Sequence, residues 1–354
     1  MTAAEVLVDV SGRMGRLTLN RPRALNALTA EMVQLLDDAL SEWEHDPEIA
    51  CVLIDGEGDR GLCAGGDIRA IYDAALVGDP APKKFWRDEY RLNARIKRYP
   101  KPYVAIMDGI VMGGGVGVSA HGSVRVVTER TKIAMPEVGI GFVPDVGGTY
   151  LLSRAPGELG THAALTAAQL GPAEAIKCGF ADHFVPSDSL ASLAEDLANA
   201  GSDAVDAAVQ RHSEPVPPST FDSDMEWINE CYATDDVAEI VRRLRSSGVQ
   251  AAERAAGAIS AKSPTALKVS LRALRTARGL DTLEDCLEQE YRTSCALLSS
   301  PDLVEGIRAQ VVDKDRNPQW SPGLLDEVSA DVVEKFYAAG DDELGLATME
   351  ECDD

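Results

Sequence analysis

Met107-Asp108-Gly109-Ile110-Val111-Met112-Gly113-Gly114-Gly115-Val116-Gly117 is the stretch that decides the fold. It continues Tyr103-Val104-Ala105-Ile106, an apolar run of strand length that suits a strand buried on both faces. Three successive glycines then lead into the small-residue segment 116–120, which reads as the start of a helix. A glycine loop between strand and helix leaves backbone N–H groups unspent, and such a position suits an anion or an oxyanion. The same order occurs once earlier: Ala50-Cys51-Val52-Leu53-Ile54 reads as a buried strand, and Gly61-Leu62-Cys63-Ala64-Gly65-Gly66-Asp67 follows it. Strand, glycine loop, helix, strand is the rhythm of an α/β protein that carries ligands at its strand ends. Either loop alone is adequately explained as a tight turn. Neither has the spacing of a dinucleotide fingerprint or a P-loop.

Working outward, residues 5–20 alternate in polarity and predict a hairpin, with Val6–Val10 and Gly15–Leu19 as strands and a turn near Gly12. Thr29 is a plausible N-cap for a helix with apolar positions at Met32, Val33, Leu35, Leu36 and Leu40. Beyond residue 150 the pattern turns helical, at Tyr150–Leu152, Thr161–Ala168 and Pro172–Cys178. Residues 213–223, rich in Pro and Ser, form the best linker candidate. Helices are expected after it near 224–232, 236–246, 250–261, 264–278, 281–298 and 301–311. No internal repeat is visible.

Composition narrows the function classes. The 354 residues allow one large domain or two, and 45% hydrophobic with 26% charged residues describes a globular protein. A net charge of −24 argues against nucleic-acid binding through phosphate contacts and against an anionic membrane surface. The acidity is read as solubility, so an anionic ligand needs a local cationic or N–H-lined pocket. The seven cysteines, Cys51, Cys63, Cys178, Cys231, Cys286, Cys295 and Cys352, are scattered, with no CxxC pair. That predicts neither a zinc site nor a disulfide framework, and a reducing, cytoplasmic location fits best. The N-terminus shows no signal or transit pattern, and no apolar run approaches the ~20 residues that cross a bilayer.

The chemistry is carried by two acids. Met135-Pro136-Glu137 and Val143-Pro144-Asp145-Val146-Gly147-Gly148 place carboxyls eight residues apart, each after a proline. The apolar segment between them would desolvate a carboxylate and raise its pKa. Such a pair can divide general-base and proton-shuttling roles. The simpler alternative is that Glu137 caps a turn and Asp145 caps the helix that follows, and both roles can coexist. The five histidines are dispersed, and Cys63 reads as a small buried side chain. Lys101, Arg87, Arg91 and Arg23 are candidates for ligand phosphates, none of them singled out.

These motifs in this order resemble the crotonase (enoyl-CoA hydratase/isomerase) superfamily: Leu19-Asn20-Arg21-Pro22 with Ala24-Leu25-Asn26-Ala27, Cys63-Ala64-Gly65-Gly66-Asp67, Asp108-Gly109 with Gly113-Gly114-Gly115, Met135-Pro136-Glu137, and Pro144-Asp145-Val146-Gly147-Gly148. The resemblance implies a spiral of ββα turns with a helical C-terminal region, and an acyl-CoA thioester as ligand. It implies an oxyanion hole from the N–H groups of Ala64 and Gly114, with Gly65, Gly66, Asp67 and Gly113 lining the substrate. Enoyl-CoA hydratases carry a further glutamate where this chain has Gly117. With Gly117 and Asp145, the chain looks more like the 3-hydroxyisobutyryl-CoA hydrolases within the superfamily. That similarity extends over Trp86-Arg87-Asp88-Glu89-Tyr90-Arg91-Leu92-Asn93, Ser263-Pro264-Thr265, Gln289-Glu290-Tyr291-Arg292 and Asp313-Lys314-Asp315, and is weakest over 200–250. Glu89 matches a substrate-contacting acid of that group; alternatively it is an ordinary helix-surface carboxylate.

The resemblance therefore implies an α/β chain with a spiral core over 1–200, a variable helical or linker insertion over 201–262, a helical region over 263–340 and an acidic tail over 341–354 that is expected to fray. It implies hydrolysis of a short branched 3-hydroxyacyl-CoA from valine breakdown, with Glu137 and Asp145 catalytic. Glu137 would act as general base or as nucleophile, a choice the sequence leaves open. No metal or separate cofactor is expected, since coenzyme A is part of the substrate, and a homo-oligomer is compatible with the family. An enoyl-CoA hydratase or isomerase, and a non-catalytic acyl-CoA-binding protein, are the competing expectations.

Overall fold

The fold was analysed in a computed structural model, which describes residues 4–338 and 343–346. Contacts cluster into two compact units, each assembled from separated stretches of chain. The first takes the chain up to Gly66, then Arg91–Ile133 and Leu170–Ser219; the second takes Asp67–Tyr90, Ala134–Gln169 and the chain from Thr220 onward. The Pro- and Ser-rich stretch 213–220 carries no regular element, and the change of unit at 219/220 falls within it.

The first unit is built on a six-stranded sheet. Its strands are β1 (Val6–Ser11), β2 (Met14–Leu19), β3 (Cys51–Gly56), β4 (Tyr103–Met107), β6 (Val124–Val127) and β8 (His183–Phe184), in the order β1-β2-β3-β4-β6-β8. Two short strands, β5 (Ile110–Met112) and β7 (Lys132–Ala134), pair separately. β1 and β2 form the expected antiparallel hairpin, with Val6 opposite Leu19 and Gly12 at φ 57° in the turn. The remaining neighbours are parallel, with Leu17 beside Ile54 and Ile54 beside Ala105. Cys51–Ile54 and Tyr103–Met107 are buried along their length, as continuous apolar runs require of strands covered on both faces. Thr29 caps the helix Ala30–Glu44, its hydroxyl accepting the Met32 N–H at 3.1 Å, and Met32, Val33, Leu36, Leu40 and Trp43 form the buried stripe. Met14, Leu53, Val104, Val126, Leu193 and Val209 belong to one core cluster.

The second unit is helical. Helices Phe221–Tyr232, Val237–Ser246, Gln250–Ser260, Pro264–Ala277, Leu283–Leu297 and Pro301–Ile307 lie within two or three residues of their expected bounds, except that the last passes into a π-turn at Arg308–Val312. Two helices, Ile68–Val77 and Ala81–Arg98, fall where the sequence reading assigned no element, and Ala81–Arg98 brings Glu89 and Tyr90 into this unit. Part of the acidic tail is ordered: Leu344 and Leu346 are buried, and both backbone N–H groups donate to the Glu288 carboxylate. Residues 339–342 and 347–354 lie outside the described residues. Among the described residues, no helix is long and apolar enough to cross a membrane.

Candidate active site

The two glycine loops adjoin within the first unit. Cys63 pairs with Val111 in a parallel bridge, its N–H donating to the Ile110 carbonyl at 3.1 Å and its carbonyl accepting the Met112 N–H at 2.9 Å. The approach is tight enough that a Cβ on Gly115 would stand 2.4 Å from the Cys63 carbonyl oxygen, so position 115 tolerates only glycine. Gly113 bends into the helix Gly114–Gly117 at φ 46°, ψ −120°, a conformation closed to other residues. Gly114 opens that helix, where N–H groups lack intrahelical acceptors.

The other expected donor needs a correction. The Ala64 N–H already donates to the Leu25 carbonyl at 3.0 Å, so it is not available to a ligand. Gly65 N–H faces the Cys63 sulfur at 3.4 Å. The Gly66 N–H has no acceptor among the described residues, although Gly66 bridges to Leu28. A parallel bridge of that register uses the Gly65 carbonyl, which accepts the Leu28 N–H at 2.8 Å, and passes over the N–H of Gly66. Among the described residues of these two loops, the N–H groups of Gly66 and Gly114 are therefore shown with no acceptor. Asp67 starts the helix Ile68–Val77 without a side-chain cap. Lys101 is committed to the carbonyls of Trp43 and Asp46, which removes it as a phosphate ligand.

The acids gather in the second unit. Glu137 opens a 3-10 turn, Glu137–Ile140, and contributes no side-chain cap. Asp145 does not cap the following helix either: Gly147 holds the N-cap position of Gly148–Arg154. Its carboxylate accepts the Tyr90 hydroxyl proton at 2.7 Å instead, and Tyr90 also bonds the Ser294 hydroxyl at 2.9 Å. The cap is supplied from a distance by Glu290, whose oxygens accept the Gly147 N–H at 2.6 Å, the Thr149 N–H at 2.8 Å and the Thr149 hydroxyl at 2.5 Å. Glu89, Glu137, Asp145 and Glu290 are all buried, at 2%, 6%, 6% and 1% exposure. Glu89 is thus not a surface carboxylate.

Burial governs these groups. Desolvation, then the Asp145 charge, pushes Glu137 well above the ordinary carboxylate range. The same two causes raise Glu89. Desolvation raises Asp145 too, against the Tyr90 hydrogen bond that favours its anion. Glu89 Oε1 and Glu137 Oε2 have no hydrogen-bond partner among the described residues. Two acceptor oxygens held out of water and left unpaired are costly in a merely structural cluster and apt for one that receives a polar ligand. Around them, Trp86 stacks on Phe142 at 5.3 Å and Val138 and Val143 are fully buried, which keeps the cluster dry.

Sequence reasoning located Glu137, Asp145 and Glu89 but gave no role to Tyr90, Ser294, Thr149 or Glu290. Tyr90 and Glu290 lay in plain view in the Trp86–Asn93 and Gln289–Arg292 stretches. What was missing is the helix Ala81–Arg98 and the pairing across 55 and 143 residues of chain that gives those side chains their partners.

Comparison with known proteins shows the family and the fold. A family model described as enoyl-CoA hydratase/isomerase matches residues 14–337. A Gallus gallus protein named 3-hydroxyisobutyryl-CoA hydrolase, mitochondrial, is 42% identical over 354 residues, covering 98% of this chain and 92% of its own. A solved structure described as a carnitinyl-CoA dehydratase from Mycobacterium thermoresistibile is 56% identical with a TM-score of 0.93, covering 96% of this chain and 98% of that one. Another, described as an enoyl-CoA hydratase from Rhodobacter sphaeroides 2.4.1, is 41% identical with a TM-score of 0.89, covering 94% and 97%. The mitochondrial name of the Gallus gallus relative overturns the cytoplasmic expectation. Unpaired cysteines report reducing conditions, and that property does not specify a compartment.

Proposed function

The chain belongs to the enoyl-CoA hydratase/isomerase family, and on that premise we propose that it hydrolyses the thioester of a short branched 3-hydroxyacyl-CoA, 3-hydroxyisobutyryl-CoA or a near analogue, as formed in valine breakdown. One observation carries this reading: Glu137 and Asp145 are both buried in the same unit, the Asp145 charge raising Glu137, while position 117 is glycine and offers no second glutamate for hydration. The name of the Gallus gallus relative supports the same substrate.

In this reading the thioester oxygen is held by the N–H groups of Gly66 and Gly114, which stabilise the charge that develops as the carbonyl becomes tetrahedral. Gly65 and Gly113 shape the backbone beside it, and Asp67 follows. Glu137, more basic than an exposed carboxylate, either takes a proton from attacking water or attacks the carbonyl itself to give an anhydride that water opens. In both routes the C–S bond breaks, sulfur leaves with its electron pair, and a proton is returned to it. Asp145, held by Tyr90, orients the water or the substrate hydroxyl and carries that proton. Glu89 meets the acyl end. Coenzyme A arrives as part of the substrate, with no resident cofactor invoked, and self-association of the chain belongs to the same reading.

The second reading is addition or removal of water on an enoyl-CoA, favoured by the descriptions of the two solved structures. The experiment offers purified protein 3-hydroxyisobutyryl-CoA and crotonyl-CoA side by side, measuring free thiol from both and enoyl absorbance from the second. Thiol release from the first alone is expected. Loss of enoyl absorbance without thiol release would replace hydrolysis with hydratase chemistry.

A further inference from the structure

Glu290 stands outside the acid pair, yet its surroundings are more fully determined than those of any other acid in the cluster. It lies on the helix Leu283–Leu297, and its two carboxylate oxygens accept three hydrogen bonds from Gly147 and Thr149. Those donors sit two and four residues after Asp145. The intervening turn is strained: Val146, β-branched and buried, is held at φ 52°, and Gly147 follows at φ 79°. The Gly148 N–H closes the turn on the Asp145 carbonyl at 2.6 Å. One turn further along the same helix, Ser294 holds the Tyr90 hydroxyl that donates to the Asp145 carboxylate. Positions 290 and 294 share one helix face by their i, i+4 spacing. That face fixes Asp145 twice, through its backbone by way of Glu290 and through its side chain by way of Ser294 and Tyr90.

We propose that Glu290 is a positioning residue for the thioester hydrolysis, holding the strained 145–149 turn as an anion and placing a fixed negative charge behind Glu137 and Asp145. The proposal rests on the hydrolase reading for its assay but on these contacts for its content. Two backbone N–H groups and the Thr149 hydroxyl on two oxygens favour the anion, against burial, which pushes the group up to about 8. Arg154 reaches the Cys286 side chain on the same helix as Glu290. The groups that face Glu290 are Tyr90 from Ala81–Arg98, Glu137 from the turn Glu137–Ile140, Asp145 and Thr149 from the following turn and its helix, and Cys286 from its own helix. On the neighbouring helices Arg154 stacks on Tyr150 and donates to the Leu280 carbonyl, Arg272 pairs with Glu334, Arg275 with Glu158, and Lys268 donates to the Val328 carbonyl. The charge of Glu290 is therefore felt by the acids: it raises Glu137, after burial and Asp145, and Asp145 in turn raises Glu290.

The test compares Glu290→Gln, Glu290→Asp and Ser294→Ala by kcat, KM and the pH profile of kcat/KM for thiol release. In Glu290→Gln an amide NH2 must face a backbone N–H, and the charge is gone. The expected result is a kcat loss of tenfold or more and an acid limb moved to lower pH by about one unit, because Glu137 ionises more readily without an anion behind it. Glu290→Asp keeps the charge and is expected to keep the acid limb even where kcat drops. Ser294→Ala, which leaves the Glu290 contacts intact, is expected to fold normally and lose kcat several-fold at unchanged KM. A Glu290→Gln limb at the wild-type pH means that Glu290 is only a structural cap, and unchanged kcat in Ser294→Ala overturns the double hold on Asp145. Should the unaltered protein release no thiol, the hydrolase reading falls first, and the two failures are told apart.

Discussion

At the scale of single residues the site turns on which backbone and carboxyl groups are already spent. Ala64 illustrates it: the motif drew attention to that alanine, but its N–H is used by Leu25, and the proposed donor lies two residues on at Gly66. Proline at Gly66 removes that donor, and kcat for thiol release is expected to fall roughly 10²–10³-fold. Alanine there keeps the N–H and should retain far more activity. Equal losses in the two variants would mean that space at position 66, and not its N–H, is what the reaction uses. Glu137→Gln removes the proposed base or nucleophile and should lower kcat by about 10²–10⁴-fold. Single turnover in ¹⁸O-water tests the nucleophilic route: label appearing in the Glu137 carboxyl requires an anhydride opened at the enzyme carbonyl, with an unlabelled Glu137 oxygen carried into the product acid.

At the scale of elements, the motifs were legible because glycine spacing, prolines and apolar runs are local signals. The parallel strands Cys51–Gly56 and Tyr103–Met107 and the C-terminal helices follow from them directly. Helix Ala81–Arg98 was missed for a physical reason. It carries charge on one face and buries Trp86, Glu89, Tyr90 and Asn93 on the other, so two of its buried positions are polar and the apolar stripe is broken. The contact that seats the turn carrying Glu137 was equally invisible. Gly306, in helix Pro301–Ile307, lies so close to the turn Glu137–Ile140 that a Cβ would stand 2.4 Å from the Ile140 carbonyl carbon. Gly141, at φ 71°, abuts Asp302 of the same helix just as closely. Gly306→Ala must displace the turn that carries Glu137, so it is expected to lower both the thermal midpoint and kcat, by about 1–3 kcal/mol in stability. A variant with normal midpoint and normal kcat would show that the turn yields without consequence.

At the scale of the whole molecule, Glu89, Glu137, Asp145 and Glu290, all counted in the net charge of −24, are buried, and the stability of the chain must depend on pH in a definite sense. Glu89, Glu137 and Asp145 bind protons more tightly folded than unfolded, because burial, the leading cause in each, opposes their charge. Their contribution to stability is fully present below the unfolded carboxyl values near 4 and is lost as pH rises through the elevated folded values. Glu158 and Asp182 oppose this. Burial raises both, but Arg278, Thr161 and Arg275 around Glu158, and Arg125 on Asp182, outweigh it and hold them low. Their contribution is present above the ordinary carboxyl range and lost as pH falls through the lowered values. The thermal midpoint is therefore expected to be greatest at mildly acidic pH and to decline on the alkaline side, where the proposed chemistry needs Glu137 ionised. Glu89→Gln isolates the effect, since it removes a buried carboxyl whose Oε1 has no described partner. Its midpoint should exceed that of the unaltered protein at pH 8, with the gain shrinking toward zero near pH 4.5. A gain of equal size at both pH values would assign the effect to packing instead of charge. The cost of keeping these acids dry would then lie elsewhere than in their ionisation.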